Sequence, residues 1–374
     1  WAIERQIPMQ ETAEEETIPL ESVSTDHVRM AESLAALPLQ EAVQGTLNRT
    51  EYAYSCLTED QKRLYREILD AITSFSKDAE LSSQNSSAIG DVMECVMADH
   101  PEIFYVDGYN ATTHTLGDKV VKVTFSARYT LSQSQVEERK ALIDTRVQEI
   151  LAGMEDAMDE YEKLKYLYEY VIENTEYDLK APENQTICSV FLYKRSVCQG
   201  YAKAFQLLCM EAGIPSVLVT GTVTGGEGHA WNLVCADGDW YYVDPTWGDA
   251  RYRMSDSDPA WKSGKLPEVN YDYFLVTTQM ITRTHKISPL FALPECTSMK
   301  DNYYVRRDAY FTEADDEKIA RLFQAAYEQG EEMVTLKCAD GEIYELIRKK
   351  LSRKDTIPFV PFLFLGLIIR LLAG

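Results

Sequence analysis

The sequence predicts an α+β protein: a core in which a cysteine opens a helix packed on an antiparallel sheet, with α+β extensions before and after it. Three observations predict this class. The run Ser196-Val197-Cys198-Gln199-Gly200-Tyr201-Ala202 starts a helical period carried on by Phe205, Leu208 and Cys209. Residues 229–235 and 240–244 read as apolar, aromatic strands around the turn Ala236-Asp237-Gly238-Asp239. Helical and strand-like periods recur on both sides of this core.

The elements follow in chain order. Residues 1–45 are acidic, carry Glu14-Glu15-Glu16 and show no sustained period, so they read as a linker or partly ordered arm. Residues 46–155 read as an N-terminal α+β domain. It has a helix at 59–75 capped by Thr58, a second helix at about 87–99, strands near Phe104 and at 120–129, and a helix-rich stretch at 132–154. The core spans 156–300 and is entered through an amphipathic helix at 160–174. Its later part, 255–300, reads as a long ordered loop containing Trp261. Residues 301–355 form a small α/β module, with a helix at 313–329 and strands at 333–337 and 343–347. The tail 356–374 is apolar, carries Arg370, and is only marginally long enough to span a bilayer. A short anchor, a segment docked on the body and a frame artefact all stay open for it.

Within the core, Ser196 and Gln199 form the S-x-x-Q pattern of a capping box, which places Cys198 in the first helical turn. Unsatisfied N–H groups and the positive dipole end there favour a thiolate. Gly213 followed by Pro215 supplies the stop. If Asp237-Gly238 is the two-residue turn of the hairpin, Asp244 faces Trp231, and His229 and Asp244 become diagonal neighbours on one sheet face, roughly 7–8 Å apart at the backbone. Packing that face on the helix start lets an imidazole meet the thiol while a carboxylate fixes the ring. Taken singly, the cysteine reads as a small buried hydrophobe, His-Ala-Trp as a core strand and Asp-Pro-Thr-Trp as a turn. Their joint order and parity favour a nucleophile with its base and orienter.

These residues carry a resemblance. From about Tyr161 to Trp247 the chain resembles the transglutaminase-like superfamily, a branch of the papain-like fold. The matching pieces are Cys198-Gln199-Gly200-Tyr201-Ala202, the strand at 217–221, His229-Ala230-Trp231-Asn232 and Val243-Asp244-Pro245-Thr246-Trp247. Ser196 stands where many relatives have glycine. The resemblance implies a catalytic triad of Cys198, His229 and Asp244, acting on peptide or protein amides through a thioester, with hydrolysis slightly favoured over cross-linking. The Cys198 N–H and Gln185 are candidate oxyanion donors, and Tyr201, Trp231 and Trp247 are candidate substrate contacts. Tyr271-Asp272-Tyr273-Phe274-Leu275 with His285, and the stretch near Asn302-Tyr303-Tyr304, are similar to the C-terminal extension of Firmicute members. A non-catalytic surface module that binds polypeptide is the alternative of another class.

Composition bounds the rest. The 374 residues, 45% hydrophobic, suffice for a sizeable core, and a net charge of −23 argues against nucleic acid and anionic membrane as bulk-surface partners. A basic or neutral polypeptide fits better, and membrane contact falls to the 357–374 tail or to a segment before Trp1. No zinc-spaced cluster or phosphate-cradling loop is present, so no metal or cofactor is expected. Asp256-Ser257-Asp258 reads as solvated surface, and His285, between Thr284 and Lys286, as a surface or packing residue. Eight cysteines without pairing logic make no disulfide framework. The chain opens on Trp1, which a cleaved export signal or a cloning boundary would explain; the first favours an extracytoplasmic or cell-surface location.

Overall fold

A computed structural model describes residues 11–19, 51–249, 269–331, 333–352 and 368–372. Trp261, the string Asp256-Ser257-Asp258, most of the acidic arm and most of the apolar tail lie outside the described residues.

The N-terminal sheet holds β1 (Glu11–Pro19), β2 (Ala79–Leu81), β3 (Val106–Leu116) and β4 (Lys119–Tyr129), antiparallel in the order β1-β3-β4-β2. Within residues 1–45, read as a linker or partly ordered arm, the nine of β1 are ordered by pairing with β3. An edge strand needs only its neighbour's backbone groups, so an acidic and mostly exposed segment can serve. Helices Glu59–Thr73, Gln133–Leu151 and Glu160–Glu173 each begin with a capping box, formed by Thr58 with Gln61, Ser132 with Gln135 and Asp159 with Glu162.

Asp99 ties this region together. Its carboxylate accepts from the Ala53 N–H (2.9 Å), the Tyr54 N–H (2.9 Å) and the Tyr65 hydroxyl (3.1 Å), so the helices Tyr52–Ser55 and Glu59–Thr73 are pinned to the end of Ser86–Asp99. One residue earlier, the Ala98 carbonyl accepts from Gln206 Nε2 (2.7 Å) on the helix Cys198–Glu211. The N-terminal region therefore braces the helix that carries the candidate nucleophile. A single hydrophobic cluster runs from Ala53 to Cys296, so the core is continuous across the boundary expected at 155.

A parallel pair, β5 (Glu176–Tyr177) with β6 (Arg195–Ser196), leads into the Cys198 helix. Beside that helix lies an antiparallel sheet of β7 (Ser216–Val223), β8 (Gly228–Ala236), β9 (Asp239–Val243) and β10 (His285–Ile287), ordered β10-β7-β8-β9. Asn232 pairs with Val243 and Ala236 with Asp239, the register expected from an Asp237-Gly238 turn. Both turn residues have positive φ, 50° and 86°, as a type I′ hairpin requires. The stretch expected as one long loop contains β10 and the short helix Thr278–Ile281.

The C-terminal module has its own core around Phe311, Ile319, Phe323, Leu336 and Ile347. Its strands β11 (Tyr310–Phe311), β12 (Met333–Cys338) and β13 (Ile368–Leu372) are parallel, so the described part of the tail is a docked strand. Among the described residues no helix is long and apolar enough to cross a membrane. The strand expected at 343–347 is instead part of the helix Gly341–Ser352. Ile343, Ile347 and Leu351 recur every four residues and all pack on that core, which is a helical period.

Asp99→Ala should leave a buried N–H group, a part-buried N–H group and a buried hydroxyl without their acceptor. It is expected to cost about 3 kcal/mol or more, against about 1 kcal/mol for Tyr65→Phe, which removes one donor only. Urea unfolding of both variants checks this; equal costs would show that Asp99 does not hold the three elements together.

Candidate active site

The Cys198 helix starts two residues after β6 ends, and its N-cap is Val197, which has no side-chain cap. The expected Ser196–Gln199 capping box is absent. Ser196 is buried in β6, its hydroxyl shared with Ser189 Oγ (2.6 Å) and the Asn184 carbonyl (3.0 Å), so it is not available to cap. Cys198 nevertheless occupies the first helical position. Gly200 permits this packing, since a Cβ there would sit 2.0 Å from Ser196 Oγ and 2.8 Å from the Asn184 carbonyl oxygen.

The helix meets the sheet along a seam of small residues. Ala202 and Ala230 pack with Leu218, and Asn232 Nδ2 donates to the Ala202 carbonyl (3.0 Å). That bond fixes β8 lengthwise against the helix and brings His229 toward the thiol, close enough for Cys198 to help hold a proton on the imidazole. The other face of the ring pair is set by Asp244, whose Oδ2 lies 2.8 Å from His229 Nε2. Asp244 is fully buried, while Cys198 keeps 8% of its surface exposed.

Asp244 also caps the helix Pro245–Gly248: its Oδ1 accepts from the N–H groups of Thr246 (2.9 Å) and Trp247 (3.1 Å). Asp244 therefore closes the turn with one carboxylate oxygen and meets His229 with the other. A further donor was missed in the sequence. His285, expected as a surface or packing residue, is buried with Nε2 3.0 Å from the same Oδ2, and its Nδ1 lies 2.8 Å from Thr284 Oγ1. The alternation Thr284-His285-Lys286-Ile287 was its available signal, because it puts His285 and Ile287 on one strand face. Nothing local tells which strand β10 joins.

The electrostatics follow from these contacts. Burial works against a charged His229, but the Asp244 carboxylate and the hydrogen bonds to Asp244 and Cys198 outweigh it and lift the imidazole to about 10. For Asp244, burial disfavours the anion, yet the two imidazoles hold it well below the usual carboxylate range. His229 thus keeps its proton at neutral pH.

The remaining candidates are arranged as follows. Gln185 lies in the turn whose neighbour Asn184 accepts from the Val197 N–H (3.2 Å), and its buried side-chain oxygen has no hydrogen-bond partner. Tyr201 is fully buried beneath the site, its hydroxyl bonded to the Thr175 carbonyl (2.8 Å) and Asp249 Oδ2 (3.1 Å), so the expected substrate contact is corrected to a structural one. Trp231, fully buried too, stacks on His229 at 5.9 Å and meets His285 edge-on at 4.9 Å, which makes it a floor for both rings and not a contact for substrate. Trp247 lies against His285 (4.7 Å) and Tyr273 (5.0 Å) with 5% of its surface exposed. His229, Asp244 and His285 are the one group among the described residues whose donor atoms come within 4.8 Å of one another, as a metal would need. Both imidazole nitrogens already meet Asp244 Oδ2 as hydrogen-bond partners, so the cluster is complete as a hydrogen-bond network. All eight cysteines are free thiols.

Helix, hairpin and the buried thiol–imidazole–carboxylate chain define a papain-like α+β core. Residues 147–245 match the family model of the transglutaminase-like superfamily, the family that the sequence resembles. The chain is 28% identical over 111 residues to mouse kyphoscoliosis peptidase, covering 25% of this chain and 17% of that protein. To the human kyphoscoliosis peptidase it is 28% identical over 125 residues, covering 29% and 18%. The chain thus spans under a fifth of the length of these curated relatives. Among solved structures, a TGase is similar with a TM-score of 0.29 and 15% identity, covering 41% of this chain and 48% of that one.

A raised imidazole stabilises the fold fully below its unfolded value of about 6.5, and the contribution is lost as pH rises toward the folded value of about 10. The gap in melting temperature between the protein and Asp244→Asn should therefore be widest near pH 6.5 and narrow toward pH 10. A gap constant over that range would mean that Asp244 does not carry the charge of His229.

Proposed function

We propose that the chain is a cysteine enzyme that cleaves peptide or protein amides through a thioester. Cys198 is the nucleophile, His229 the acid and base, and Asp244 the group that orients His229. The observation that carries this reading is a buried His229 whose Nε2 lies 2.8 Å from Asp244 Oδ2, with Cys198 at the first position of its helix and near enough to help raise the imidazole. The Cys198 thiolate adds to the amide carbonyl, and the imidazolium gives its proton to the departing amine. The neutral ring then takes a proton from water, which attacks the thioester and releases the acid. The Cys198 N–H, at a position where helical N–H groups lack internal acceptors, meets the oxyanion, with Gln185 as second donor.

Hydrolysis is favoured over transfer to a lysine amine because water needs no acceptor site, and the peptidase in the curated relatives' names agrees with it. Acyl transfer remains the alternative for the same intermediate. A non-catalytic polypeptide-binding module would have no use for a nearly buried thiol aligned with a charged imidazole. The net charge of −23 favours basic or neutral polypeptide substrates.

Incubation with casein and a fluorescent primary amine separates the two chemistries: new peptide ends mark hydrolysis, and fluorescent casein marks transfer. Cys198→Ala should abolish both. Asp244→Asn should stay folded and lose at least about 10²-fold in turnover, since the amide favours the wrong tautomer and no longer supports the imidazolium. Turnover near that of the unmodified protein would reduce the triad to a Cys–His dyad. Gln185→Ala should cost about 10²-fold in turnover at unchanged melting temperature; no loss would remove Gln185 from the oxyanion site.

A further inference from the structure

Two imidazoles share one carboxylate oxygen at this site, and the proposed reaction uses only one of them. Asp244 Oδ2 lies 2.8 Å from His229 Nε2 and 3.0 Å from His285 Nε2. With Thr246 and Trp247 on Oδ1, the carboxylate has four donors and no exposure. A buried carboxylate commonly needs this many partners, but ordinary structural needs would be met by any N–H, and here the fourth is a ring brought in from a separate strand. His285 is itself clamped. Its Nδ1 faces Thr284 Oγ1 at 2.8 Å, and Trp231, Trp247 and Tyr273 lie around it at 4.9, 4.7 and 5.7 Å. Gly221 lets β10 come this close, because a Cβ there would stand 2.1 Å from the Lys286 carbonyl oxygen and 2.8 Å from the Trp231 ring.

We infer that His285 is a positioning residue of the site: as a second donor to Asp244 Oδ2 beside His229, it holds the carboxylate in place and takes a share of its charge. The inference rests on the proposed role of His229 and Asp244. Its physical content is competition. A carboxylate oxygen that accepts from two rings supports the imidazolium of either one less strongly than if it accepted from one alone. Removing the His285 donor leaves Asp244 leaning on His229, so His229 should hold its proton to higher pH. The other titratable groups at this cluster are Cys198 on the far side of His229, Tyr273 beside His285, and Tyr168. The Tyr168 hydroxyl is 3.5 Å from the Asp244 carbonyl oxygen, and burial keeps it protonated.

The test needs no substrate. Iodoacetate is an anion, so its reaction with a thiolate beside an imidazolium gives a bell-shaped pH profile whose upper limb reports loss of the imidazolium proton. Alkylation is assigned to Cys198 by peptide mass spectrometry, and melting temperatures are measured on the same preparations. Three replacements separate bonding from bulk. Gln can place an N–H where Nε2 was, Asn reaches only the Nδ1 position beside Thr284, and Leu has no donor. His285→Asn and His285→Leu should move the upper limb to higher pH by about 0.5 unit or more, and His285→Gln should leave it near that of the unmodified protein. If all three variants keep the original profile, or Gln shifts as far as Asn, the inference is overturned. Should the Leu variant fail to fold, the Gln and Asn pair decides alone. If instead the unmodified protein gives Cys198 the monotonic profile of a simple thiol, with no upper limb in any variant, the proposed Cys–His pairing is what fails.

Discussion

The structure is organised around a carboxylate that has no contact with water. Moving an anion from water into a protein interior costs several kcal/mol even after relaxation, and only a full set of donors offsets it. Asp244 has that set, and its donors come from three places in the chain: two N–H groups of its own turn, one imidazole fifteen residues earlier and one forty-one residues later. The last of these requires the segment after Val269 to wrap over the site. It does so through the Asp244 N–H to the Tyr273 carbonyl (2.9 Å), the Tyr242–Val276 backbone pair and the pairing of β10 with β7. The edge of the sheet, the turn at Pro245 and the placement of His229 all answer one requirement.

The parts of this arrangement that could be read from sequence are those set by neighbours along the chain. Hairpin parity placed His229 and Asp244 on one face because a two-residue turn leaves no freedom of register. A capping residue located the helix after Thr58 because a cap acts within three residues. The misreadings have a common physical form. Ser196 satisfies a capping pattern, yet a partner from another segment, Ser189, takes its hydroxyl. Glu11–Pro19 lacks any period of its own, yet β3 supplies its pairing. His285 carries no distinguishing neighbour, and its role comes from two strands that meet it in space. Ile343 and Ile347 are the exception, a short apolar pattern assigned the wrong period although residue 351 already continued the helical one.

The seam between helix and sheet decides whether thiol and imidazole can meet at all. Neither residue controls that distance. It is set by Ala202, Ala230 and Leu218, whose small or flat surfaces allow the backbone layers to approach, and by Asn232, whose bond to the Ala202 carbonyl prevents the sheet from sliding along the helix. Interiors close-packed like organic crystals transmit even a methylene of change. The motif His-Ala-Trp-Asn therefore has four separate duties: an imidazole, a spacer, a floor for the imidazole and a latch.

The uncapped start of the Cys198 helix completes the design. A side-chain cap is worth about 1 kcal/mol, and Val197 forgoes it. A serine or aspartate at the N-cap would place its oxygen on the N–H groups of the second or third helical residue, beside the thiol and in the space a developing oxyanion must occupy. An aspartate would add a negative charge next to a group whose reactivity depends on being negative itself. The nearest hydroxyl, Ser196, is turned away toward Ser189 and Asn184, and Gly200 leaves the room for it to be there. The helix end gives up local stability and leaves its donors open toward the proposed oxyanion, and the Gln206 bond to Ala98 together with the small-residue seam restores from a distance what the missing cap does not supply.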